Sequence, residues 1–373
     1  MSLSPSHSDH HTPSKGHAGL PFSRPPTPSV HTPVIGWVGL GAMGYQMAKN
    51  LATHSHSHPA GSGPVLVYNR TASRTEALLK ELGHKVRVAD SPAQIALECD
   101  VIFTSLGTDE AVKSVYAAFK AALENAKLDK PKIFVETSTI YPTLAGELDS
   151  LLSSIEHTHF LTAPVFGPPA AAAKSQLVMV MSGDYRSKKV VGYLVVPGVV
   201  KKVIDLGGNV EKAPTFKLLG NSLILGSIEL LGEAMTLADK SGVGTDNLYE
   251  FVKATKPALR SFTSDFMPAA PFLNYGKKML DNEFDGSKGF AIDGGIKDAT
   301  HIRRLLTAHN SPMPVIDIAH QHLLTARALH QAEEAKGVAK NEILDWSALV
   351  AGSRVAAGRP PFTYEEETKV VKE

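Results

Sequence analysis

Three glycines carry the first chemical signal in this chain. In Ile35-Gly-Trp-Val-Gly-Leu-Gly-Ala-Met-Gly-Tyr45, residues Gly39, Gly41 and Gly44 stand in the G-x-G-x-x-G spacing. The triplet has meaning only in context. Here an apolar run, Val34–Gly39, precedes it, and an amphipathic helical pattern, Met43–Leu51, follows it. In a strand-turn-helix setting the first glycine permits the tight turn and the second lets the backbone approach a pyrophosphate. The third lets helix and strand pack closely, and the helix N-terminus favours the phosphate charge. Gly39, Leu40, Gly41, Ala42, Met43 and Gly44 are therefore the expected dinucleotide-binding segment.

The end of the next apolar run bears on which dinucleotide. An acid there would hold the ribose hydroxyls of NAD, but the sequence reads Tyr68-Asn69-Arg70-Thr71. Without a carboxylate nothing repels a 2′-phosphate, and Arg70 offers a donor fork suited to one. NADP is favoured over NAD, with Asn69, Arg70 and Thr71 as contacts; the alternative is a solvated Arg70. A second pair, Lys217 and Asn221, lies four residues apart and would share a helix face, so that an ammonium and an amide could converge on one oxygen. Apolar neighbours should lower the amine pKa toward the range useful for acid–base work. The residues alone leave open a lysine that merely snorkels near a helix start.

What must position these groups is an alternation of short apolar strands and helices. Pro64–Tyr68, Val86–Ala89, Val101–Ser105, Lys132–Glu136, His159–Thr162, Leu177–Met181 and Lys201–Asp205 read as strands after the first. Helical patterns over Ser73–Leu82, over Glu110–Ala122 and after Pro142 lie between them. Such alternation predicts a doubly wound, mostly parallel Rossmann-type sheet. Past Gly207-Gly208 the pattern is wholly helical. Pro214 to about Lys240 is apolar on every side and uncharged between Lys217 and Glu229, which predicts a buried helix. It would be about 40 Å long, enough to run from one domain into the next. The expected organisation is a disordered Ser/Pro/His-rich tail over 1–33, a dinucleotide-binding domain over 34–207, an all-α domain over 208–352 and a C-terminal tail over 353–373.

The chain has 373 residues, 43% hydrophobic and 20% charged, with a formal net charge of +1. That neutrality gives no electrostatic reason to expect nucleic acid. No stretch reads as the ~20 apolar residues of a membrane span, and the tail makes a poor transit helix, so a cytoplasmic location is expected. The single cysteine, Cys99, reads as a small buried thiol. The histidines of the tail and of His54–His58 supply no closed ligand set, and no metal is expected.

Taken together, residues 34 to 350 resemble the β-hydroxyacid dehydrogenase family, which includes 3-hydroxyisobutyrate dehydrogenases and semialdehyde reductases. Gly39–Gly44 continuing to Met47-Ala-Lys-Asn-Leu51 is similar to the family's first motif, and Thr104-Ser-Leu-Gly107 to its next cofactor loop. The latter implies contacts from Leu106 and Gly107. Glu136-Thr-Ser-Thr-Ile140 resembles the stretch at the nicotinamide, implying Thr139 for the cofactor and Ser138 for the substrate. Lys217-Leu-Leu-Gly-Asn221 resembles the family's Lys-x-x-x-Asn, which implies Lys217 as proton donor and acceptor and Asn221 as its orienting partner. Gly295-Ile-Lys297-Asp298 implies Lys297 at the cofactor, with Asp298 expected to support the helix start.

One motif departs from the pattern. Where the family usually has Asp-Ala-Pro-Val-Ser-Gly-Gly for a substrate carboxylate, this chain has Thr162-Ala-Pro-Val-Phe-Gly-Pro-Pro169. Phe166 and Gly167 are the expected substrate contacts, but a hydroxyl and an N–H are missing. A bulkier or more apolar substrate becomes plausible; alternatively Phe166 turns into the core. The resemblance implies hydride transfer between nicotinamide and a carbonyl or hydroxyl carbon of a small hydroxyacid- or semialdehyde-like molecule. An imine reductase and a non-catalytic dinucleotide sensor remain as alternatives. It also implies a homodimer formed through the helical domain.

Overall fold

The structure, a computed structural model, describes residues 19–22, 32–54, 62–258 and 269–363. Strand and helix alternate from β1 (Ile35–Val38) and α1 (Ala42–Thr53) through β2 (Val65–Tyr68), α2 (Ala72–Leu82), β3 (Val86–Val88), α3 (Pro92–Glu98), β4 (Val101–Thr104) and α4 (Asp109–Leu123). They continue with β5 (Lys132–Glu136), α5 (Pro142–Ser153), β6 (Thr158–Thr162), the short β7 (Val165–Phe166), α6 (Pro169–Ala173), β8 (Leu177–Gly183), α7 (Tyr185–Val195) and β9 (Val200–Asp205). From there the described chain is helical: α8 (Lys212–Lys240), α9 (Thr245–Ala258), α10 (Ala269–Asp281), α11 (Ile292–Ala308), α12 (Pro314–Ala335) and α13 (Val350–Ala356).

Among the described residues the strands form one sheet. β3, β2, β1, β4, β5 and β6 run parallel in that order, β8 turns antiparallel to β6 and β7, and β9 pairs in parallel with β8. β1, β4 and β5 are buried throughout, as expected of strands covered on both faces. One face packs Trp37, Val67, Phe103 and Val135; the other packs Val38, Leu66, Ile102 and Phe134. Chain order reverses between β1 and β4, so the loops at their C-terminal ends open into a crevice. Cys99 is buried, and desolvation pushes its thiol up to about 12.

Three expectations need correction. The N-terminal segment is not wholly free of structure. Phe22 is 3% exposed, and Leu20 and Phe22 pack over Gly192 while the Gly19 carbonyl accepts from the Val203 N–H. This strap lies against β9 and α7; residues 1–18 and 23–31 fall outside the described residues, as do His56 and His58. At the other end, α13 crosses the expected boundary at 352. Arg354 is buried and donates to Asn282 and Met279, and Phe362 packs against the helical core.

The third correction concerns α8. Leu218, Leu225, Ile228, Leu231 and Met235 are buried among α10, α11, α12 and α13, but Phe216, Leu219, Leu223, Leu230 and Leu237 are exposed. By length and composition alone α8 could also cross a membrane, which the sequence reading did not anticipate. Half of its most apolar window is packed inside the protein, as in the core helix of a helical domain.

Candidate active site

The glycine turn is held from three sides. Gly39 takes φ +99°, a conformation that favours glycine. Its N–H donates to the Tyr68 carbonyl at 2.9 Å, and its carbonyl accepts from Trp37 Nε1 at 2.9 Å. Asn69 Oδ1 accepts the Leu40 N–H at 2.9 Å, and its Nδ2 donates to the Thr71 carbonyl at 3.0 Å. Arg74, one turn into α2, donates to the Leu40 carbonyl at 3.0 Å. Leu40, its side chain fully buried, thus has both backbone polar groups engaged and shapes the loop. Asn69 acts as a clamp between two turns, a role its residue type alone did not reveal.

The open face of this turn suits a dinucleotide. A Cβ at Gly41 or at Gly107 would meet nothing within 4 Å, whereas one at Gly44 would collide with the Gly39 carbonyl. Gly44 is there for packing and Gly41 faces free space. The first turn of α1 carries no acid, and helix geometry leaves the N–H groups of Ala42, Met43 and Gly44 without intrahelical partners. These groups fit a pyrophosphate, with Arg70 and Thr71 exposed beside them. Arg74 was not singled out in the sequence; its spacing of four from Arg70 was the available signal.

Across the crevice, Ser138 joins two loops. Its Oγ accepts the Leu106 N–H at 2.7 Å, and its own N–H donates to Glu136 Oε1 at 2.7 Å. Glu136 Oε2 accepts from Thr104 Oγ1 at 2.7 Å. Glu136 is fully buried at the end of β5, and desolvation raises its carboxyl to about 7 against the lowering effect of Ser138 and Thr104. Ser138 is only 6% exposed and its hydroxyl is engaged here. It positions the loop, whereas the sequence placed it at the substrate. Glu136 was overlooked because a lone acid at a strand end has no spacing signature.

The helical domain brings the third wall. Lys297 Nζ donates to the Thr139 carbonyl at 2.7 Å and lies 3.3 Å from Asp298 Oδ1. Asp298, 1% exposed, accepts from Asn221 Nδ2 at 2.6 Å. It sits well inside α11, whose N-cap is Ala291, so it does not support a helix start; it is a buried acid that ties α11 to α8. One turn before Asn221, Lys217 makes no hydrogen bond or ion pair among the described residues. Its Nζ lies over the Phe166 ring, 4.4 Å from the centroid. Burial lowers the amine to about 8, with Lys297 adding to the drop and Asp298 opposing it. Phe166 does not turn into the core. It meets Phe216 edge to face at 6.1 Å and lies on α8 where a Cβ at Gly220 would collide with its ring. Gly167 follows in the turn with φ +130°. Lys217, Asn221 and Phe166 are thus brought together, with Lys297, Thr139 and the β4 and β5 loops beside them.

Comparison with known proteins agrees with the two-domain fold. Residues 34–194 match the family model described as the NAD binding domain of 6-phosphogluconate dehydrogenase. Residues 212–340 match the one described as the NAD-binding domain of NADP-dependent 3-hydroxyisobutyrate dehydrogenase. The chain is similar to the NADH-dependent oxidoreductase ucdB of Aspergillus ustus, 28% identical over 75% of this chain and 88% of the relative. It is also similar to a probable mitochondrial 3-hydroxyisobutyrate dehydrogenase of Dictyostelium discoideum, 30% identical over 64% of this chain and 68% of the relative. Among solved structures it is similar to the Mycobacterium tuberculosis 3-hydroxyisobutyrate dehydrogenase with L-serine, at a TM-score of 0.64 and 24% identity, covering 87% of this chain and all of that one.

Proposed function

Because the chain belongs to the β-hydroxyacid dehydrogenase family, and is thereby an NAD(P)-dependent oxidoreductase acting on CH–OH groups, we propose that it interconverts a carbonyl and an alcohol with NADP as preferred cofactor and Lys217 as general acid and base. The observation that carries this reading is the half-buried Lys217 amine, without a hydrogen-bond or ion-pair partner among the described residues and lowered to about 8 beside the Asn221–Asp298 pair. When bound, the nicotinamide supplies or takes the hydride. Gly41, Ala42, Met43 and Gly44 would hold the pyrophosphate, and Arg70 with Arg74 the adenosine side.

Lys217 gives its Nζ proton to the carbonyl oxygen in reduction and takes it back in oxidation. Asn221, fixed by Asp298, stands one helical turn away on the same face and holds the local geometry. The Lys297–Thr139 contact locks the helical domain onto the β5 loop, so that lysine and nicotinamide pocket form one site. The exposed apolar stripe of α8 supports a homodimer through the helical domain.

The test is oxidation of NADPH and of NADH against aldehydes, ketones, semialdehydes and cyclic imines. Turnover of a carbonyl with NADPH preferred is expected. Arg70→Ala should weaken NADPH far more than NADH, and an equal loss for both would contradict the 2′-phosphate assignment. Turnover confined to imines, or tight NADPH binding without turnover, would favour an imine reductase or a dinucleotide sensor instead.

A further inference from the structure

We propose that the substrate is a neutral, apolar aldehyde or ketone, selected by the Phe166 ring seated on Gly220, and not a carboxylate-bearing molecule. The proposal rests on the reading that Lys217 serves the reacting oxygen. The Lys217 ammonium lies on the face of Phe166, and Phe216 meets that ring edge to face. Gly220 makes the fit possible, because any Cβ there would collide with Cε1 and Cζ of Phe166. The approach to the proton donor is therefore an aromatic wall. It rewards apolar substrate surface removed from water.

A carboxylate would need a cation or a set of N–H donors in exchange for its hydration, and Lys297 and Asn221, the side-chain donors beside Lys217, already have partners. Lys297 bonds the Thr139 carbonyl and faces Asp298. Asn221 Nδ2 is given to Asp298, and the Ser138 N–H to Glu136. The turn after Phe166 continues into Pro168 and Pro169, which have no N–H. The N–H groups of Ala171 and Ala172 both return to the Pro168 carbonyl, at 2.9 and 3.1 Å. Gly167 and Ala170 keep the remaining amides of that turn. Asp298 is the anion that acts on Lys217, and it repels a second anion there.

The test compares kcat/KM with NADPH for benzaldehyde and butanal against succinic semialdehyde, in the intact chain and in Phe166→Ser, Phe166→Leu and Gly220→Ala. NADPH fluorescence titration verifies that each variant still binds cofactor. The intact protein should prefer the neutral aldehydes by about tenfold or more, a margin within reach of apolar pocket contacts. Phe166→Ser should erase that margin mainly through KM, Phe166→Leu should keep most of it, and Gly220→Ala should reduce it by displacing the ring. Equal or better turnover of the semialdehyde, unchanged by Phe166→Ser, overturns the substrate class while leaving Lys217 in place. Turnover that survives in Lys217→Ala would instead remove the reading on which the proposal rests.

Discussion

At the scale of single residues, the proposed chemistry depends on how burial and two charged neighbours set one amine. Burial lowers Lys217, Lys297 adds to the drop, and Asp298 holds it back, giving about 8. In carbonyl reduction the protonated amine is the active form, so kcat/KM should fall as pH rises through about 8. In alcohol oxidation the neutral amine is active, and the rate should rise over the same range. Asp298→Asn removes the one influence that raises the amine. Its reduction profile should therefore fall at lower pH than that of the unmodified protein, and a profile shifted upward or left in place would contradict the assignment. Asp298 also shows how far residue types can mislead. In sequence it sat beside a lysine near the start of a helical pattern, and only the fold shows it buried against Asn221.

At the scale of elements, the parts of the site with a local pattern were legible and those made by tertiary contact were not. The glycine turn, the strand ends and the Lys217–Asn221 face could be placed because spacing within one helix or turn fixes who faces whom. Glu136 meets Thr104 and Ser138 only because β4 and β5 lie side by side, and the Phe166–Gly220 fit needs β7 to meet α8. The apolar composition of α8 predicts a helix buried all round, whereas the fold leaves one of its faces exposed. Composition cannot separate a core face from a face awaiting a partner. Phe216, Leu219, Leu223, Leu230 and Leu237 follow one another at intervals of three, four, seven and seven, a spacing that would suit the seam of the proposed dimer. Leu223→Glu with Leu230→Glu should convert a dimer to a monomer by light scattering or sedimentation; an unchanged mass would exclude this stripe as the interface.

At the scale of the whole molecule, the site exists only where two domains meet. Lys297 bonds the Thr139 carbonyl. Asp109 at the start of α4 accepts from the Tyr141 N–H and lies 3.4 Å from His301 Nε2 of α11. Arg304 stacks on Tyr141 with its guanidinium carbon 3.8 Å from the ring centroid. These contacts hold the lysine-bearing domain over the crevice of the sheet, while the Gly19–Phe22 strap covers the far side at β9 and α7. In the proposed function the glycine turn of the sheet domain holds the dinucleotide, with Lys297 of the helical domain beside it, and Lys217 of α8 gives the proton. Lys217→Ala separates the two most directly, by measuring kcat for carbonyl reduction and the NADPH dissociation constant on the same preparation. A loss of about 10²-fold or more in kcat with a nearly unchanged dissociation constant is the expected result. A variant that binds NADPH and keeps most of its turnover would show that Lys217 does not carry the proton.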